Sequence, residues 1–230
     1  MFSARTSGVT ATKASVTRLY VGTSGWSYPS WRPGFYPAEV KPADFLRYYS
    51  ERFSSVELNT TGYRLPAEEQ FRRWAEQTPS GFQFAVKLNA HQLRQAVTVE
   101  ERVRLLGDRL GPIRVVVASA RDEGLLMLTL GSFDPDLRIA FDFRHDSWDG
   151  IETDLPPNAV RVGDCEGPAG FRYLRLREPP YDDQALEESA ERIRPLLADG
   201  LEVYCYLKHE EEPSAPHYAG RLLELVATGG

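Results

Sequence analysis

Leu19-Tyr20-Val21-Gly22-Thr23-Ser24-Gly25-Trp26-Ser27-Tyr28-Pro29-Ser30-Trp31-Arg32-Pro33-Gly34-Phe35-Tyr36-Pro37 sets the pattern for the rest of the chain. A short apolar run stops abruptly at Gly22 and Gly25, which reads as a strand running into a turn. Glycine there permits backbone angles or close approaches that a side chain blocks. Five aromatics, Trp26 to Tyr36, then fall within eleven positions. A loop this short cannot bury them alone, so they pack over the end of a core or line a pocket.

Beyond Pro37 strands and helices alternate. Lys41 to Arg52 places Phe45, Leu46, Tyr48 and Tyr49 at helical spacing, and Ser54 to Asn59 is short and β-like. Pro66 opens a helix through Phe71 and Trp74, and Phe82 to Lys87 alternates as a strand. Thr98 to Leu110 reads as a helix, with Thr98 and Glu101 at capping-box spacing. The strand Ile113 to Val117, a short helix Asp122 to Leu130 and the strand Leu137 to Asp142 follow. Ile151 to Pro157 holds no more than a turn of helix before the strand Ala159 to Gly163. Asp164 to Gly170 is too short for a helix, so the strand Phe171 to Leu176 follows almost directly. The helix Asp182 to Leu197, the strand Leu201 to Leu207 and the helix His217 to Val226 complete the chain.

Eight strands, most followed by a helix, require crossover connections and hence parallel pairing. Over residues 19–230 this predicts an α/β fold, an irregular (β/α)8 TIM-like barrel in a single domain, its helix missing between the sixth and seventh strands. An open doubly wound sheet is the alternative. Residues 1–18 are rich in Ser, Thr and Ala, lack the apolar centre of a secretory signal, and read as a disordered extension.

A hydrophobic content of 42% suits a globular protein, and the longest apolar runs fall far short of the roughly 18 residues of a membrane span. Cys165 and Cys205, 40 positions apart, form neither a disulfide framework nor a zinc motif, which favours a cytoplasmic setting. A net charge of −6 disfavours nucleic acid as partner without removing the case for a local basic patch. The oligomeric state is not written in the sequence.

Side chains alternate faces along a strand, and helices cover the outside of a barrel, so the apolar faces point outward and the polar ones inward. That sends Glu57, Asn59, Lys87, Asp142, Arg144, Asp164, Arg175, Arg177 and Lys208 inward, most of them near the C-terminal strand ends where barrel enzymes place their chemistry. Glu57 and Asp142 can serve as a carboxylate pair for proton transfer. Lys87 forms a Schiff base only with a depressed pKa, and otherwise holds an anion; Arg144 and Arg177 suit a bidentate grip on carboxylate or phosphate. His91, His145 and His209 each follow a strand, but without a tight ligand motif, so no metal and no cofactor is expected. Cys165 reads as a packed residue rather than a nucleophile.

Gly22-Thr23-Ser24-Gly25-Trp26-Ser27-Tyr28 with Trp31 and Phe35-Tyr36-Pro37 resembles the opening motif of the domain-of-unknown-function family 72, the YecE-like proteins. Val56-Glu57-Leu58-Asn59-Thr60 with Tyr63-Arg64-Leu65-Pro66 resembles its second signature. Trp74, Phe82 to Lys87, and Phe143-Arg144-His145 with Ser147-Trp148 fit further blocks. The resemblance implies a TIM-barrel-like fold whose relatives include metal-dependent endonucleases and sugar isomerases, which brings in nucleic-acid binding or cleavage as a rival function. The chain departs from the family pattern at Gly62, Asp142, Arg177-Glu178, Lys208-His209 and Ser119 to Gly131. A barrel that keeps only a binding role is the third alternative. The leading expectation is a protein acting on a small anionic molecule at the barrel mouth. Glu57 and Asp142 would move protons, Asn59, Lys87, Arg144, Arg177 and Lys208 would hold the ligand, and Trp26, Tyr28 and Tyr63 would wall the pocket.

Overall fold

The computed structural model describes residues 18–229. The expected N-terminal extension lies outside the described residues except Arg18, whose guanidinium donates to the Gly200 carbonyl at 2.6 Å and whose own carbonyl accepts the Val203 N–H at 2.7 Å.

Among the described residues eight strands form, all parallel: β1 (Leu19–Thr23), β2 (Ser55–Leu58), β3 (Gln83–Asn89), β4 (Leu110–Val117), β5 (Ile139–Phe143), β6 (Ala159–Arg161), β7 (Phe171–Leu176) and β8 (Glu202–Leu207). Six α-helices accompany them: α1 (Phe45–Ser50), α2 (Glu68–Gln77), α3 (Ala96–Val103), α4 (Glu123–Gly131), α5 (Asp183–Ala198) and α6 (Ser214–Thr228). The β5–β6 connection carries only 3-10 turns, Asp146–Trp148 and Ile151–Thr153, and β6 passes to β7 without a helix.

The ladders run β2-β3-β4-β5-β6 and β1-β8-β7, so the barrel is TIM-like but interrupted at two seams. Each seam is crossed by backbone bonds. At β1/β2 Gly25 N–H donates to the Glu57 carbonyl at 2.9 Å beside a Ser24–Glu57 bridge, and at β6/β7 Gly163 N–H donates to the Tyr173 carbonyl at 2.9 Å. Gly22 is required at the first seam: a Cβ there would lie 1.9 Å from the Ser55 carbonyl oxygen.

Outward faces of the strands pack under the helices, as with Val56, Phe84, Val86, Ile113, Val115, Phe141 and Val203. Inward faces build a second, separate cluster that includes Ala85, Ala140, Val160, Phe171, Tyr173, Tyr204 and Tyr206. Tyr20 stacks on Tyr204 at 4.6 Å between ring centroids and fills the lower barrel. The interior is a packed core, as in other barrels of this kind.

The aromatic first loop mostly plugs. Trp31 and Tyr36 are fully buried, Tyr36 stacks on Phe45 at 3.8 Å, and its hydroxyl donates to the Trp26 carbonyl at 2.6 Å. Three helices begin or end elsewhere than the periodicity predicts, the Lys41 to Arg52 segment splitting into a 3-10 turn, Pro42–Asp44, and the short α1. α3 starts at Ala96 and contains Thr98, so Thr98 and Glu101 form no cap; the capping box is nine residues earlier, at Asn89 and Gln92, where β3 bends straight into 3-10 turns. α3 also stops at Val103 rather than Leu110, because Gly107 adopts φ 59° and breaks the continuation. α6 starts three residues early, at Ser214, with Pro216 in its first turn where proline costs little.

Asp122 caps α4, accepting the Leu125 N–H at 3.1 Å. Asp122→Ala is expected to lower stability by about 1 kcal/mol, measured by chemical denaturation. A change within a few tenths would mean that α4 does not need its cap.

Candidate functional site

In a parallel barrel all strand C-termini reach one rim, so the last inward residue of each strand meets its neighbours there. On β2 that residue is Glu57, fully buried, with both carboxylate oxygens engaged. Arg114 of β4 brings Nε to 2.8 Å from Oε2 and donates from Nη2 to Oε1 at 3.2 Å. Arg175 of β7 lies 2.9 Å from Oε1. The Tyr173 hydroxyl donates to Oε2 at 2.6 Å, and the Ser24 hydroxyl to Oε1 at 3.3 Å. Burial alone pushes the Glu57 carboxyl up, but Arg114 and Arg175, helped by the two hydroxyls, bring it down to about 2. A carboxylate so held is ionised at neutral pH and has no proton to give.

Asp142 on β5 is the second buried anion, 2% exposed. It receives three guanidinium groups: Arg114 from below, Arg144 at 2.9 Å and Arg177 at 2.7 Å. Arg114, 1% exposed, therefore spans both carboxylates and ties β2 to β5 across the barrel. Charges this deep persist only when paired and hydrogen-bonded.

Above the clamp opens a cavity of about 590 Å³. Its lining contains six cationic side chains, Lys87, Arg114, Arg144, Arg175, Arg177 and Lys208, over two buried carboxylates, a surplus of four positive charges. Tyr28, Asn59, Tyr63 and His209 complete most of the wall. Tyr28 stacks on His209 at 4.5 Å and donates to the Ser24 carbonyl at 2.7 Å. Burial, together with Lys208 and Arg175, lowers the His209 pKa, so its imidazole is neutral near pH 7. Tyr63 is 80% exposed, with Lys87 Nζ 4.8 Å from its ring centroid. The Lys87 amine is also pushed below its usual pKa, first by burial, then by Arg114 with Arg175 and Arg144, against the opposing pull of Glu57.

Of the residues named from sequence, Tyr28, Asn59, Tyr63, Lys87, Arg144, Arg177 and Lys208 meet in this one cavity, with Glu57 and Asp142 beneath it. Trp26 does not reach it. It packs edge-on against Trp74 at 5.7 Å and lines a neighbouring groove of about 620 Å³ with Arg64 and Pro66. Asp164 pairs instead with Arg161 at 3.6 Å. His91 is exposed in the turn after β3, and His145 accepts the Ser147 N–H at 3.1 Å at the start of the 3-10 turn after β5. Among the described residues no group of three or more His, Cys, Asp or Glu side chains could hold a metal ion.

Arg114 went unrecognised in the sequence because Ile113 to Val117 reads as continuously apolar. Its visible mark was a charge in the middle of a strand, on the face opposite Ile113, Val115 and Val117. Tyr173 and Ser24 carried no mark.

Residues 20–155 match the family model described as protein of unknown function DUF72. The chain belongs to the DUF72 family. The UPF0759 protein YecE of Escherichia coli K12 is 39% identical to it over 79 residues, which is 34% of this chain and 26% of that protein. The UPF0759 protein YunF of Bacillus subtilis 168 is 32% identical over 69 residues, 30% of this chain and 23% of that one. The matched segments thus span about a quarter of these curated relatives. A crystallised DUF72 family protein of Enterococcus faecalis V583 superposes with a TM-score of 0.74 at 15% identity, over 92% of this chain and 96% of that one. One from Thermotoga maritima MSB8 gives 0.69 at 18% identity, over 92% and 100%. These structures establish the shared DUF72 fold. Within the family match lie Ser24, Glu57, Lys87, Arg114, Asp142 and Arg144, whereas Arg175, Arg177, Lys208 and His209 come after residue 155. No helix of the described residues is long and apolar enough to cross a membrane.

Proposed function

We propose that this DUF72 protein binds a small organic anion carrying phosphate or carboxylate groups at the mouth of its barrel. The observation that carries the reading is the surplus of four positive charges around one confined cavity. Lys87, Arg144, Arg177 and Lys208 hold the anion, and Tyr28, Asn59 and Tyr63 shape the wall. Glu57 and Asp142 take a different part from the acid–base one their residue types suggest. With its pKa near 2 and both oxygens occupied, Glu57 fixes Arg114 and Arg175 in place, and Asp142 does the same for Arg144 and Arg177. A pocket rather than a basic stripe, on a chain of net charge −6, favours a small molecule over nucleic acid. Two free cysteines suit a cytoplasmic setting.

A thermal-shift screen of phosphorylated and carboxylated metabolites tests this. At a concentration of 100 Kd a ligand adds about 2.7 kcal/mol, which raises the Tm of a chain this size by roughly 5–10 °C. Lys208→Ala and Arg144→Ala should each diminish that rise. A rise of the same size in both variants would place the ligand elsewhere.

A further inference from the structure

The chain contains 23 arginines and only four lysines, Lys13, Lys41, Lys87 and Lys208. Two of those four line the mouth. Where a chain builds almost every cation from arginine, a lysine beside four guanidiniums calls for a reason. Arginine is the better ligand for an oxyanion, through its planar fork of donors and permanent charge. What lysine alone offers is an amine able to lose its proton and use the lone pair.

Lys87 is placed for that use. Its stem lies against Gly62, where a Cβ would come within 3.1 Å of Cδ and Cε. The Gly62 turn is itself fixed, since Thr61 Oγ1 donates to the Lys87 carbonyl at 2.7 Å and Asn89 Nδ2 to the Gly62 carbonyl at 2.6 Å. Among the described residues no carboxylate forms an ion pair with Lys87; its Nζ lies over the Tyr63 ring. Facing it are Arg114 on β4, Arg144 after β5, Arg175 on β7 and, as the opposing charge, Glu57 on β2. Three cations against one anion make the Lys87 ammonium readier to give up a proton when a carbonyl comes within reach. Lys208, by contrast, is exposed at the rim.

We propose that Lys87 forms an imine with the carbonyl of an anionic aldehyde or ketone held in the mouth of the barrel. The inference rests on the anion-binding reading, because the guanidiniums must hold the anionic group while the amine meets the carbonyl. The Nζ lone pair attacks the carbonyl carbon, and the carbonyl π electrons move to oxygen, which takes up a proton. The carbinolamine then loses that oxygen as water, leaving a C=N bond whose nitrogen keeps one hydrogen and a positive charge. Starting from the ammonium form, two of its three hydrogens depart with the water, and no oxidant or reductant is consumed. The neutral imidazole of His209, in the same wall, is a group that can accept and return the proton.

The test uses the full chain with glyceraldehyde 3-phosphate and cyanoborohydride, whose hydride reduces an iminium to a stable secondary amine. Mass mapping of four lysines leaves little ambiguity. One adduct on Lys87 is expected, formed at least about tenfold faster than with unphosphorylated glyceraldehyde, since the cationic mouth concentrates the phosphate. Lys87→Arg should abolish it, while the far-UV circular dichroism of that variant stays native. No adduct, adducts shared evenly among the lysines, or labelling undiminished in Lys87→Arg would overturn the imine. If pyrophosphate still stabilises the native chain in that event, anion binding survives on its own; if it does not, both readings fall together.

Discussion

Glu57→Gln is expected to destabilise the protein by about 3–5 kcal/mol, the usual cost of removing one partner from a buried ion pair. Glutamine keeps the shape but leaves Arg175 without its carboxylate and Arg114 with Asp142 alone. For a chain of this length that corresponds to a drop in Tm of roughly 10 °C. The pH dependence gives the same residue a second signature. The carboxyl lies at about 2 in the folded protein against 4.5 unperturbed, so the folded state binds its proton less readily than the unfolded one. Its contribution is complete above about pH 4.5 and is lost as pH falls toward 2. The shift corresponds to roughly 3 kcal/mol. The native protein should lose that amount between pH 4.5 and 2 relative to Glu57→Gln, which has no such group to protonate. Chemical denaturation of both proteins at pH 7, 4 and 2.5 measures it. Parallel curves within 1 kcal/mol would mean that Glu57 is not the anchor of the mouth.

The second large effect concerns the ligand. Arg144 and Arg177 reach Asp142 at different oxygens, Oδ2 and Oδ1, and line the cavity together. A hydrogen bond to a charged group is worth about 1.5–3 kcal/mol, so Arg144→Ala with Arg177→Ala should weaken pyrophosphate by roughly a hundredfold or more. Calorimetric titration reads this directly. The remaining affinity should also vary less steeply with salt, because fewer cations meet the anion. Arg104→Ala serves as the control, since Arg104 pairs with Glu100 and Asp136 on the outer surface. Equal losses in the control and in the double variant would reduce the mouth to a diffuse electrostatic effect.

Much of this architecture was legible beforehand for a simple reason. A barrel strand has one face under helices and one face in the lumen, so period-two alternation reports direction directly. Leu137 to Arg144 is a clear case, sending Asp142 inward and Phe141 outward as found. Phe171 to Leu176 kept its limits unchanged, because short turns bound it on both sides. The α3 boundaries were not legible, since they follow from how far β3 runs and from the angle at Gly107. Position in the site was clearer than role. Residue types placed Glu57 and Asp142 at the mouth, but whether a carboxylate moves protons depends on how many cations surround it, and those arrive from β4, β5 and β7. Trp26 was misplaced because a loop has no alternation to orient its side chains.

Asp142 accepts three guanidiniums at once, one from within β4 and two from the rim after β5 and β7. Such groups are oriented before any ligand arrives, so little conformational entropy remains to be lost when one binds. Rigidity of that kind also sets a distance. Donors that cannot follow a mobile guest distinguish two anions of equal charge by the separation of their oxygens. On the anion-binding proposal, the mouth of this barrel would therefore measure spacing rather than merely count charge.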